Sequence, residues 1–423
     1  MIAPHTYPST LSEADSPVVS VVPLQALVAN VDRVADVVAP QADSVPGRES
    51  HRYAVARPDS FLNVTLSVAE FPEPTPPREA VVKRAVAHFR GMMDRGLFDP
   101  LPSPAFFLYE LDTGSQRQAG IVGGVSLTAI EEGRVLGHEG IFEGQVDDLA
   151  HFYRVARLAS SPVALGFEAD EDHHSLMRRL SSGAPLRDFT SPDGVRQRLW
   201  AVTEPSELAA VRSATSRVTT LYITDGHHRV AASLRRGVGP GWFLAIMFPN
   251  DQLQAVAYNR VVAPSHLPSP EEVRHALGDD WAMIDLGLAG EVEAQPRDTG
   301  EMAMVLEGRC YRMVFRGRRS DDPVERLDVS MLHHRILGPV FGIWAHEDPR
   351  LWYMAGESST GPFQRHVAAY PGAVGFALYP TRMAEMMAVA DAGRLMPPKS
   401  TWFTPKPRSG LLVVRWENQR PPE

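Results

Sequence analysis

The sequence of 423 residues contains one cysteine, Cys310. A lone thiol excludes an intrachain disulfide and fits a reducing compartment. No apolar run approaches the roughly 20 residues that a membrane-spanning helix requires. The first residues include Glu13 and Asp15 and lack a basic start followed by an apolar stretch, so no secretory leader and a cytoplasmic location are expected. Basic residues are in short supply: 42 Lys and Arg stand against 51 Asp and Glu, a net charge of −9. Duplex binding needs clustered cations, so this balance argues against a nucleic-acid partner. Three catalytic signatures are also missing. No G-x-G-x-x-G follows a strand, no glycine-rich P-loop precedes a Lys-Ser or Lys-Thr, and no G-x-S-x-G elbow marks a hydrolase serine. No internal repeat stands out.

What remains is an ordinary globular composition, with 44% hydrophobic and 22% charged residues. Thirty-six prolines and 32 glycines imply many loops. Strands are expected near Val18–Val22, Ser60–Leu66, Ala105–Tyr109, Gly120–Val125, Pro162–Phe167, Leu199–Val202, Leu221–Asp225 and Trp242–Phe248. Phe71 to Pro77 reads as a stiff proline connector. Val82, Ala85, Val86, Phe89 and Met93 recur at three- and four-residue steps, which predicts a helix over about 79–95. A second helix is expected over about 146–158. Ala255–Val262 is expected to lie beside Trp242–Phe248. Ser269-Pro270-Glu271-Glu272 is a helix start with a cap, an early proline and acids near the dipole. Strands follow near Met302–Leu306, Cys310–Phe315 and Phe376–Pro380, with helices near 329–337 and 382–390. Strands alternating with helices predict a mixed α/β (α+β) chain. Its composition breaks suggest three regions, 1–104, 105–263 and 264–423.

The stretch that organises the chemistry is Leu221-Tyr222-Ile223-Thr224-Asp225-Gly226-His227-His228-Arg229. It reads as a buried strand, an Asp-Gly turn and a helix start. Helix N-termini carry unsatisfied N–H groups and the positive end of the dipole, which favours an anion such as phosphate. Gly226 allows close backbone approach, and Arg229 can add a forked cation. Asp225 falls at a strand end, where open α/β sheets place ligands, although Asp-Gly is also a plain turn former. Three adjacent histidine pairs occur, at 173–174, 227–228 and 333–334. Neighbours on a helix point in different directions, so this spacing argues against a transition-metal site. One of His227 and His228 fits phosphate, the other the core. Glu139, in Gly137-His138-Glu139-Gly140, is a loop carboxylate suited to accepting a hydroxyl proton or to ordinary solvation. Lys399-Ser400-Thr401 offers one cation and two hydroxyls in a proline-stiffened loop.

These stretches together resemble one family. Asp36-Val37-Val38-Ala39-Pro40, Gly137-His138-Glu139, Asp225-Gly226-His227-His228-Arg229, Leu327-Asp328-Val329-Ser330-Met331-Leu332-His333 and Met396-Pro397-Pro398-Lys399-Ser400-Thr401 follow the order and spacing of the domain-of-unknown-function 1015 (DUF1015) family. The resemblance spans nearly the whole chain. It implies a ParB/sulfiredoxin-like core with N-terminal and C-terminal α/β additions, and kinship with free-serine kinases that use ATP or ADP and Mg²⁺. By that resemblance Glu139 is the catalytic carboxylate, and Gly226, His227, His228 and Arg229 grip the nucleotide phosphates. Asp225 assists the metal or the hydroxyl, while Lys399, Ser400 and Thr401 are further phosphate contacts. The expected function is phosphoryl transfer from a nucleotide to the hydroxyl of free L-serine or a related amino acid. A nucleotide-binding regulator of the ParB type without chemistry is the alternative. The expected partners are a small-molecule substrate and a nucleotide, with no membrane and with homo-oligomerisation left open. A sulfiredoxin-type redox role would need a cysteine at the 226–229 turn, and Cys310 is far along the chain. Two departures are visible. Family members often carry Pro-Pro-Tyr-Asp where this chain has Pro40-Gln41-Ala42-Asp43. They also carry a Lys and an Asp-Arg where this chain has Gln145-Val146-Asp147-Asp148. Lost cations near a phosphate site weaken donor binding or change the substrate.

Overall fold

The computed structural model describes residues 19–45, 47–65, 76–355 and 360–419. They divide into two compact units that are not continuous in sequence. The first takes in residues up to 137, then 141–253 and 405–423; the second takes in 138–140 and 254–404. The chain-wise regions 1–104, 105–263 and 264–423 cut the molecule differently from these units. The mixed α/β class is what the chain adopts. No helix of the described residues is long and apolar enough to cross a membrane.

The first unit is built on a nine-stranded sheet. Its order runs Val135–Leu136, Leu221–Asp225, Val163–Phe167, Trp242–Pro249, Arg117–Ser126, Phe106–Asp112, Arg196–Val202 and Arg187–Thr190, with Val21–Val22 also paired to Arg117–Ser126. Pairing is mostly antiparallel. Leu221–Asp225 runs parallel to Val135–Leu136, and Trp242–Pro249 runs parallel to Val163–Phe167. Both faces are covered, so central strands are apolar throughout rather than alternating. Phe107, Tyr109, Leu244 and Ile246 join Ala85, Phe89 and Met92 of the helix Arg78–Asp94 on one face. Phe106, Leu108, Phe243 and Ala245 pack on the other face, with Leu176 and Val211 of the helices Glu171–Leu180 and Pro205–Thr215. Gly123 and Gly124 are packing glycines: a Cβ on Gly124 would stand 2.6 Å from the Trp242 ring. A second, four-stranded sheet joins Phe98–Pro100, Leu27–Ala29, Leu412–Arg415 and Leu158–Ala159.

The second unit holds a six-stranded antiparallel sheet, ordered Trp281–Leu288, Arg309–Phe315, Glu301–Leu306, Val374–Leu378, Tyr258–Val262 and Leu351–Ala355. Phe363 and Val367 of the helix Thr360–Ala368 pack on one face with Val261 and Ala377. The helical stretch from Asp328 to Phe341 supplies Phe341, set edge-on to Phe376 at 5.7 Å. Cys310 is buried in this unit, on the strand Arg309–Phe315.

Several expectations need correction. Residues 60–65 form no strand: Leu62–Thr65 is a short helix. The Ser60 hydroxyl accepts the Leu62 N–H at 3.3 Å, and Asn63 Nδ2 donates to the Arg57 carbonyl at 3.0 Å. These local bonds and the burial of Phe61, Leu62 and Val64 override the β-branched pattern. Ala255–Val262 is not the neighbour of Trp242–Pro249, whose two sides are already taken by Arg117–Ser126 and Val163–Phe167. It forms two strands of the second unit, Ala255–Val256 paired with Trp402–Phe403 and Tyr258–Val262 in the six-stranded sheet. The strand Trp281–Leu288 was not expected. Of the proline connector, residues 71–75 lie outside the described residues.

Phe61 is fully buried and meets Phe89 and Phe98 edge-on at 6.2 and 6.0 Å. Phe61→Ala is expected to lower the unfolding free energy by about 3–5 kcal/mol. Urea titration checks this: the midpoint falls while the slope stays unchanged.

Candidate functional site

The strand Leu221–Asp225 carries a register shift against Val163–Phe167, where Ile223 faces Leu165 and Asp225 faces Ala164. Such a bulge re-aims the residue that follows it, here Asp225. Thr224 Oγ1 donates to the Ala164 carbonyl at 3.2 Å. Gly226 then takes φ +103°, a left-handed conformation that L side chains rarely adopt. A Cβ there would also meet Arg229 Nε at 2.8 Å, so the turn needs glycine twice over. The helix His227–Arg235 begins at once, its first bond running from Val230 N–H to the Gly226 carbonyl at 3.0 Å.

Asp225 lies between two cations. Arg229 Nη2 pairs with its Oδ2, and Lys406 Nζ lies 2.7 Å from its Oδ1. All three side chains are about nine-tenths buried. The guanidinium is held from three further sides. Nη1 donates to the Ser161 and Pro162 carbonyls at 3.2 and 2.8 Å, and Nη2 donates to Gln41 Oε1 at 2.9 Å. Gln41 Nε2 in turn donates to the Pro407 carbonyl at 3.0 Å. Burial by itself would raise the Asp225 carboxyl, but Arg229 and Lys406 outweigh it and hold the group at about 2. The cluster sits at a helix N-terminus, where the dipole is positive.

The two histidines that follow differ. His227 is buried. His228 is half-buried, its Nε2 accepting the Phe142 N–H at 2.9 Å and its ring stacked on the exposed Phe142 ring at 5.8 Å. Glu139 and the loop 399–401 belong to the second unit. There the His138 carbonyl accepts the Met396 N–H at 2.8 Å, and His138 Nε2 lies 3.2 Å from Thr401 Oγ1. Glu139, Ser400 and Thr401 are thus brought into one neighbourhood. Ser400 Oγ donates to the Pro397 carbonyl at 2.6 Å, and Lys399 takes φ +57°. Asp225, Gly226, His227, His228 and Arg229 belong to the first unit.

The Mg²⁺ role expected for Asp225 does not fit this arrangement. Both carboxylate oxygens already face a cation, and a third positive charge would be repelled by both. Among the described residues no group of three His, Cys, Asp or Glu converges as for a metal ion. Two residues of the cluster, Lys406 and Gln41, were missed by sequence reasoning. The available signal was local stiffness: Lys406 stands between Pro405 and Pro407, and Gln41 follows Pro40.

No curated protein matches the chain. The family described as "Protein of unknown function (DUF1015)" matches residues 21–330. Among solved structures, a free serine kinase in complex with AMP is 13% identical, with 70% of this chain and 92% of that chain covered and a TM-score of 0.33. C-terminally truncated SbnI from Staphylococcus aureus is 11% identical, over 69% of this chain and 87% of that chain, with a TM-score of 0.38. A conserved hypothetical protein from Pyrococcus furiosus is 12% identical, over 69% and 95%, with a TM-score of 0.31.

Asp225 contributes stability above the ordinary carboxyl value of 3.8, and that contribution is lost as pH falls toward about 2. Unfolding free energy is therefore expected to drop through that window. Asp225→Asn should flatten the drop. At neutral pH it should cost about 3–5 kcal/mol, because a buried, hydrogen-bonded ion cluster loses its carboxylate. Chemical denaturation at a series of pH values measures both.

Proposed function

The chain belongs to the DUF1015 family, and from that premise we propose that it is a small-molecule kinase, moving a phosphoryl group from a nucleotide to the hydroxyl of free L-serine or a related amino acid. The observation that carries this reading is the braced turn at Asp225–Arg229. A buried carboxylate held between two cations stands at the start of a nine-residue helix, behind a left-handed glycine. Backbone N–H groups at the start of that helix are the phosphate donors, as at other strand–turn–helix junctions.

The residue roles are proposals. Arg229 and Lys406 hold Asp225 and supply the positive field; Arg229 acts through the turn, since its guanidinium is bound to protein groups on several sides. Gly226, His227 and His228 offer backbone N–H groups, and Lys399, Ser400 and Thr401 further phosphate contacts. Glu139, by resemblance, accepts the proton of the acceptor hydroxyl. The hydroxyl oxygen forms a new bond to the terminal phosphorus, the bond from that phosphorus to the bridging oxygen breaks, and the shortened nucleotide leaves with the electron pair. Catalysis of this kind is positioning and charge stabilisation.

The protein is to be incubated with ATP and, separately, ADP, each with Mg²⁺ and L-serine, and the product followed by ³¹P NMR and mass spectrometry. Phosphoserine is the expected product. Glu139→Gln is expected to lower kcat by about 10²–10⁴-fold, the usual range for a general base, while a nucleotide-induced thermal shift is retained. No phosphorylated product from a panel of amino acids, with nucleotide binding intact, overturns the kinase reading in favour of a binding module.

A further inference from the structure

The second unit contains another buried cation, Arg260, on the strand Tyr258–Val262. Residues two apart on a strand share a face, so Arg260 projects with Tyr258. Across the ladder it faces Tyr353, and its guanidinium lies over that ring at 5.2 Å. Nη2 donates to the Lys399 carbonyl at 3.0 Å, and Nη1 donates to the Tyr258 carbonyl. Among the described residues no carboxylate pairs with it, although it is 3% exposed. Burial lowers its pKa to about 10, opposed by Tyr353 and Tyr258 alone.

Tyr353 links this guanidinium to a set of imidazoles, its ring under Arg260 and its hydroxyl on the His346 carbonyl. The His333 and His346 rings stack at 3.9 Å, and His334 stands edge-on to His333 at 5.2 Å. His333 is buried and bonds the Trp344 carbonyl through Nε2 at 2.9 Å; Tyr353 Oη donates to the His346 carbonyl at 2.9 Å. Lys399 Nζ lies over the Tyr258 ring at 5.6 Å. His333 begins a π-helical turn, His333–Leu337, a distortion often kept at functional positions. Burial, the facing imidazole and Arg260 depress His346 to about 4, with Glu347 opposing and His334 adding to the fall. His333 is lowered by burial, His334 and Arg260, against its bond to the Trp344 carbonyl and against Glu347.

Arg236 in the first unit supplies a control. It is equally buried, donates to the Pro240 and Trp242 carbonyls, and stacks on Trp416 at 4.5 Å. Apart from burial, the group that acts on its charge is Tyr153. That is an arginine used as a carbonyl clamp. Arg260 has the same two-carbonyl, one-ring setting plus two stacked imidazoles and a lysine loop. Packing alone gives no reason to crowd bases around an unneutralised guanidinium, because each disfavours the charge of the others.

We propose that Arg260, His333 and His346 form a binding site for a phosphate-class oxyanion in the second unit, distinct from the Asp225–Arg229 turn. An oxyanion there neutralises Arg260 and lets the imidazoles become charged donors. A metal is disfavoured, since His333 Nε2 is engaged by the Trp344 carbonyl and, among the described residues, no third ligand converges. The site does not depend on phosphoryl transfer, so the two proposals fail separately.

The test uses the full chain with isotope-labelled histidine. Imidazole resonances of His333 and His346, assigned by His333→Gln and His346→Gln, are followed from acid to neutral pH. The additives are inorganic phosphate, sulfate, or chloride at equal ionic strength. Saturable shifts with phosphate and sulfate, and a rise of about one unit or more in the His346 pKa, are expected. Chloride should not reproduce them, and Arg260→Gln should abolish them. If Arg260→Gln does not fold, His346→Phe keeps a stacked ring, and phosphate affinity read at His333 should then fall at least several-fold. No shift, a shift matched by chloride, or one that survives Arg260→Gln or is unweakened in His346→Phe overturns the proposal.

Discussion

The first unit depends on keeping one carboxylate charged in its interior. A lone buried carboxylate would take up a proton, because the charged form loses its hydration. Asp225 stays ionised because Arg229 and Lys406 approach it from two sides. Their positions are in turn fixed by uncharged groups: the Ser161 and Pro162 carbonyls and Gln41 on Arg229, and flanking prolines on Lys406. Four stretches remote in sequence, around residues 41, 161, 225 and 406, therefore meet at one charge. The chain leaves this unit after residue 253 and returns at 405. The first residues after its return supply Lys406 and then the strand Leu412–Arg415, which pairs with Leu27–Ala29 and Leu158–Ala159. The ion cluster and the four-stranded sheet thus fasten the same returning segment, one by charge and one by backbone hydrogen bonds.

What was legible in the sequence follows from the range of the determinants. The turn at 225–229 could be read because its apolar strand, its glycine and its helix start lie within a dozen residues. The cap at Ser269 is local in the same way. Pairing partners are not local. Nothing near Ala255 reveals that both sides of Trp242–Pro249 are already occupied, so the nearest strand in sequence was placed beside it wrongly. Asp225 shows the same limit at the level of one side chain. Its sequence neighbours suggest a metal or a hydroxyl partner, whereas Lys406, one of its two actual partners, sits near the far end of the chain. Residues 60–65 failed differently: their composition favours a strand, and the aromatic contacts of Phe61 decide for a helix.

The two buried arginines without carboxylate partners show how one motif serves two ends. Arg236 and Arg260 each hold two backbone carbonyls and face an aromatic ring. A guanidinium is weakly hydrated and planar, so carbonyls and a ring can tolerate its charge without a carboxylate. Their surroundings separate them. Arg236 is near the Tyr153–Trp416 cluster, which is apolar and closed. Arg260 is joined through Tyr353 to His346, a half-buried imidazole that burial, His333 and Arg260 hold below its ordinary value.

The departures from the family pattern can be judged by the partners they find. Gln41 replaces a proline, and its amide does what proline cannot, accepting from Arg229 and donating to the Pro407 carbonyl at once. That links the turn to the segment carrying Lys406, so the substitution reinforces the cluster. Gln145 and Asp148 stand where the resemblance leads one to expect cations, and Asp147 where it leads one to expect an acid. Asp147 pairs with Arg235 at 2.8 Å, on the helix that begins at His227, and Asp148 with Arg78 at 2.6 Å. Exposed pairs of this kind contribute little stability, but they set the sign of the surface. The acids on the helix Glu143–Ala156 are spent on arginines, one of them in the last turn of the His227–Arg235 helix, where a cation also suits the dipole.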